Sequence, residues 1–162
     1  MAALEKFARK WAHPDYPPER VDRASLAAAE KALGLSLPED YKREILATGL
    51  PDPTMALLTG IVDRKVELHD LSSLLPPEHL VRVNRNPAGT GYPEHLLEIG
   101  GDCMGNSFAF ARADLQNGPI ESAPVHFWDH DYGTTERLAD SFTGWIASYT
   151  APWSEGLEYH SF

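Results

Sequence analysis

The 162 residues carry 24 acidic against 14 basic side chains, a formal net charge of −10 with histidine neutral. Phosphate binding needs clustered Lys and Arg, whereas the pairs Arg9–Lys10, Lys42–Arg43 and Arg64–Lys65 are scattered, so nucleic acid is excluded as the expected ligand. A hydrophobic content of 43% with 23% charged residues fits one globular domain over residues 1–162, and no apolar run approaches the roughly 20 residues of a membrane-spanning helix.

The opening segment MAALEKFARKW lacks the apolar stretch of a secretory signal; Leu4, Phe7, Ala8 and Trp11 instead share one face of a helix. A cytoplasmic location is the expectation, and the single cysteine, Cys103, excludes an internal disulfide and fits a reducing compartment. The first helix should end before Pro14, because HPDYPPER is too rich in proline to continue it. A second is predicted over Arg23–Leu33, with Asp22 as N-cap, Leu26, Ala29 and Leu33 on one face and Gly34 for the C-terminal reversal. A third starts at Pro38, carries Glu39 and Asp40 in its first turn, turns Tyr41, Ile45 and Leu46 inward and stops at Gly49. Residues 22–49 thus read as a helical hairpin that covers one face of a sheet.

Residues 50–86 are the least patterned: strands are expected at Gly60–Val62 and Val66–Leu68 and a helix over Pro77–Val83. A loop of breakers, Asn86 to Pro93, leads into the apolar run Leu96–Ile99. Gly100, Gly101 and Gly105 bracket Asp102, Cys103, Met104 and Asn106 in a tight hairpin turn. Two strands follow by alternation: Phe108 and Phe110 point away from Ser107, Ala109 and Ala111, and Val125 and Phe127 away from His126 and Trp128. A turn at 112–123 separates them, built on Asp114, Asn117, Gly118 and Pro119. The last helix has Phe142, Trp145, Ile146 and Tyr149 at i, i+3, i+4 and i+7, capped by Asp140 or Ser141; Gly144 inside it points to a close approach to the sheet or to chance. The tail APWSEGLEYHSF either straps back or joins an oligomer contact, and the sequence leaves both open. No repeat, heptad run or low-complexity tract is visible.

The succession GGDCMGNSFAF, GPIESAPVHFWDHD and ERLADSFTGWI, preceded by AEKALGLSLPEDYKREILATG, resembles the SUKH superfamily of cell-wall assembly regulators and bacterial immunity proteins. The similar segments span about 25–149 and keep the family's order; residues 51–86 and the tail after Tyr149 depart from it. The resemblance implies an α+β fold, a mainly antiparallel sheet packed against N-terminal helices and a C-terminal helix. It also implies a non-enzymatic, protein-binding role without cofactors.

Candidate site residues lie on the loops that flank the central strands: Asp102, Asn106, Trp128, Asp129, His130 and Asp131. Trp128, predicted to face outward beside three charges, suits an interface anchor. His126, Asp129, His130 and Asp131 have the donor types of a divalent-metal site, but a strand separates the two histidines and a solvated strand exit is the simpler reading. No metal is expected there. An acid–base pair of Asp129 or Asp131 with His130 lacks an activated nucleophile and a phosphate loop, and Cys103 has no neighbouring base in sequence to lower its pKa. Asp102 would repel an anion at the amides of the 100–106 turn. The leading expectation is a bacterial immunity protein that binds and neutralises a cognate polymorphic toxin domain, such as a basic nuclease. A regulatory or scaffolding module without a toxin partner is the alternative, and a small-molecule or metal-binding enzyme the third class. Oligomeric state is left open.

Overall fold

The computed structural model describes residues 1–162, the side chain of Ala88 apart. Three helices, α1 (Ala3–Trp11), α2 (Arg23–Leu33) and α3 (Glu39–Thr48), precede α4 (Ala56–Asp63), the two-residue β1 (Ser73–Leu74) and α5 (Pro77–Asn84). After them come β2 (Leu96–Gly101), β3 (Ser107–Ala111), the one-turn α6 (Arg112–Leu115), β4 (Val125–Asp129), β5 (Thr134–Ala139) and α7 (Phe142–Ala147). The five strands form one antiparallel sheet in the order β1-β2-β3-β4-β5. The fold is α+β, as the sequence implied.

Alternation along the strands decides the faces. Phe108 lies opposite Phe127, and Phe110 opposite Val125 on one side and Leu97 on the other, so these side chains share a surface that the helices cover. Tyr41 of α3 stands edge-on to Phe110 and Phe142, at 5.7 and 5.0 Å between ring centroids, and Trp145 of α7 packs on Phe108 at 4.6 Å. Each buried aromatic contributes about 1.5–3 kcal/mol by leaving water. This layer is the main source of stability.

Two buried carboxylates of α3 hold its neighbours. Glu44 accepts from the backbone N–H groups of Ala3 and Leu4, at 3.2 and 2.9 Å, at the start of α1, where Ala2 offers no side-chain cap. Asp40 accepts from Thr143 N in the first turn of α7 at 3.0 Å. Both place negative charge at the positive end of a neighbouring helix. As expected, Asp22 caps α2 through Ser25 N, and Gly34 ends it with φ +67°.

Five expectations are corrected. Gly60–Val62 is not a strand: Ala56, Leu57, Gly60 and Ile61 are buried at helical spacing in α4, so the β-branched pair Ile61–Val62 misled where tertiary packing rules. Residues 66–68 form no strand either. The 112–123 turn opens with α6, and Tyr149 lies in a 3-10 turn beyond α7, although it is buried as its spacing required. Gly144 does not approach the sheet; a Cβ there would meet only the capping Ser141 Oγ, at 3.0 Å. β5 was unforeseen because its first four residues are exposed and show no apolar alternation.

Candidate partner-binding site at the turn end of the sheet

In an antiparallel meander the β2–β3 and β4–β5 connections emerge at the same end. Residues 102–106 and 130–133 therefore meet, and the approach to β1 brings Asp70 beside them. Asp102 organises the first turn: its Oδ1 accepts from Met104 N and Asn106 N at 2.9 and 2.8 Å, and its Oδ2 from Asn106 Nδ2 at 2.9 Å. Those amides are the ones an anion would need, so the turn is closed by its own carboxylate. Gly105 has φ +87°, and a side chain there would press on the His130 ring, 3.3 Å from the Cβ position. Glycine lets the two turns stack.

Asn106 joins them. Its Oδ1 accepts from His130 N at 3.1 Å and lies 2.8 Å from His130 Nδ1, which fixes that nitrogen as the donor. His130 Nε2 faces Asp131 Oδ1 at 3.2 Å. Asp129 shapes the second turn, its Oδ1 accepting from Asp131 N and Tyr132 N at 2.9 and 3.1 Å. Asp70 accepts from Cys103 N at 3.3 Å, and burial pushes its carboxyl above the ordinary range, with the nearby Asp102 charge adding to the effect. The Cys103 thiol is exposed, and desolvation first and then the Asp70 charge push it up, the opposite of what a nucleophile needs.

Of the six residues named from sequence, the structure joins five through direct contacts: Asp102, Asn106, Asp129, His130 and Asp131. Asp129 braces the second turn. Trp128 points outward as expected, but on the second face of the sheet, half-buried against Tyr92 at 4.9 Å and packed with Leu96 and Ala109. It is fixed in a small apolar cluster, so it is less available than its place beside three charges implied. Sequence reasoning passed over Met104 and Tyr132, which are 70% and 82% exposed at the tips of the two turns. Position within a polar turn was their only signal. His126 lies on the second face opposite Ala109 and Arg137, and its pKa is lowered by burial. Among the described residues, no three His, Cys, Asp or Glu side chains are grouped so as to hold a metal ion.

The end of the sheet is thus a rim of four carboxylates, Asp70, Asp102, Asp129 and Asp131, carrying two protruding apolar side chains. No helix among the described residues is long and apolar enough to cross a membrane. An antiparallel sheet backed by helices thus carries this rim on its turns, in a domain of the α+β class. The chain matches the SMI1 / KNR4 family (SUKH-1) over residues 20–148 and belongs to that family. Domains of this family are in general non-enzymatic and of immunity or regulatory type, acting through protein–protein contacts. No curated protein matches the chain.

Proposed function

We propose that this protein is a bacterial immunity protein that binds a cognate toxin domain in the cytoplasm and blocks it, a basic nuclease being the first candidate. The observation that carries the reading is the convergence of Asp70, Asp102, Asp129 and Asp131 around Met104 and Tyr132 at one end of the sheet. The exposed Asp131 and the part-exposed Asp70, Asp102 and Asp129, on a chain of net charge −10, would steer a basic partner and set its approach rate, while the apolar tips would anchor it once water is expelled. Asp102, Asn106 and Asp129 hold the turns in shape, and His130 and Asp131 face the partner beside the tips. Trp128 supports the second face behind them.

The test is co-expression with the toxin domain encoded beside this gene in its native genome. The protein should restore growth, and the purified pair should associate more slowly as salt is raised, because screening removes the steering. A host that dies regardless, with no complex on mixing the pure proteins, overturns the reading.

A further inference from the structure

The second face of the sheet has a small cluster of its own. Tyr92, Leu96 and Ala109 are buried there with Trp128 packed against them, separate from the main core on the helix-covered face. Leu96, Ala109 and Trp128 belong to strands, whereas Tyr92 comes from the connection between α5 and β2. From Gly89 to His95, Tyr92 is the one buried residue. Among the described residues, the hydrogen bonds of 89–94 are local: Gly89 N donates to Asn86 O, Thr90 Oγ1 to Pro87 O, and Leu96 N to Pro93 O. This turn therefore rests on the sheet through a single side chain.

The chain on either side of it is clamped. Asn84 Nδ2 donates to Leu80 O and to Glu98 O, at 2.8 Å each, and its Oδ1 accepts from Glu98 N at 2.8 Å. Arg112 holds the other side, its backbone N–H donating to His95 O at 2.9 Å and its guanidinium to Leu96 O and Asn84 O. Between the clamps the attachment is weak. The Tyr92 ring stands edge-on to Trp128 at 4.9 Å between centroids, yet its hydroxyl is buried with no hydrogen-bond partner, while the Ser107 hydroxyl donates to Glu98 Oε1. An unpaired buried hydroxyl cancels much of what burial of the ring contributes. Lifting the turn returns that hydroxyl to water.

We infer that residues 89–94 form a lid between the clamps at Asn84 and His95, latched by Tyr92, and that it opens to bare Leu96, Ala109 and Trp128 while the sheet stays folded. Trp128 precedes Asp129, so opening puts an apolar strip next to the acidic rim. The lid does not depend on the role assigned to that rim.

Thiol labelling of the full chain under native conditions tests this, in a Cys103→Ser background that removes the exposed thiol. Ala109→Cys puts a thiol under the lid and Ala123→Cys puts one in the main core, both alanines being fully buried. Below the unfolding midpoint the Ala109→Cys thiol should react with an aromatic disulfide reagent at a rate nearly independent of urea, because local opening exposes little surface. The Ala123→Cys rate should be slower and climb steeply with urea. Tyr92→Phe keeps the ring and removes the unpaired hydroxyl, so it should slow the Ala109→Cys reaction about tenfold; Tyr92→Ala should speed it. If a cysteine variant misfolds, NMR relaxation dispersion on the cysteine-unsubstituted chain serves: Leu96 methyls should show exchange on the microsecond-to-millisecond scale of lid motion that Tyr92→Phe suppresses, and Leu97 methyls, on the other face, none. Three results overturn the inference: the same urea dependence for both thiols, no slowing by Tyr92→Phe, or no such exchange at Leu96.

Discussion

The helix-covered face of the sheet and its turn end are built from the same strands and answer to different physics. On the face, Phe108, Phe110 and Phe127 are held by area removed from water, and polar groups are paired in the ladder. At the turns, a few residues further along, Asp102, Asn106 and Asp129 spend their side chains on backbone N–H groups. The turn end is preorganised by hydrogen bonds rather than by packing. Side chains not needed for that frame, Met104, Asp131 and Tyr132, can then be exposed without loosening it.

Substitutions can break that division at either place. The largest effect belongs to the packed face: Phe108→Ala should cost about 3–5 kcal/mol, the usual range for a core aromatic, read as a shift in the urea midpoint. Asp102→Ala removes three hydrogen bonds at a partly exposed turn and should cost about 1–2 kcal/mol, with faster amide exchange confined to residues 102–106 and 130–133. Equal losses at both positions would erase the distinction.

Glu98 tests the second face of the sheet. It accepts from Ser107 Oγ at 3.1 Å, and burial raises its carboxyl above the ordinary value. A raised acid binds its proton more readily in the native chain than in the unfolded one. It therefore costs nothing below the ordinary glutamate pKa, and lowers stability progressively as pH rises towards the raised value. Glu98→Gln should be more stable than the parent at neutral pH, by less than about 1 kcal/mol after solvent screening, and indistinguishable from it in acid. Denaturant midpoints at the two pH values measure this. Smallest of all, Met104→Ser and Tyr132→Ser should each change stability by under about 0.5 kcal/mol.

Much of the packed face was legible in sequence, because alternation in β3 and β4 and the 3.6-residue spacing of α1, α2 and α7 report burial directly. The helix α4 was misread since Gly60, Ile61 and Val62 look like strand to any local rule, and only packing reveals otherwise. β5 left no trace because its outer residues face water. At the turn end, the acidic and amide residues were visible as turn chemistry, yet which carboxylates brace the loops depends on backbone groups that only the folded chain brings into reach. Trp128 shows the limit most clearly: its outward direction was readable, whereas its cover, Tyr92, arrives from a loop 36 residues earlier.

We propose that the exposed tips of the turns grip a protein partner without being needed for folding. The triple substitution Met104→Ser, Asp131→Asn and Tyr132→Ser, titrated calorimetrically against the cognate toxin domain, tests it most directly. Affinity should fall by about a hundredfold or more, as loss of clustered anchor residues does, while the thermal midpoint stays within a few degrees of the parent. Undiminished affinity in the folded triple variant would contradict the account.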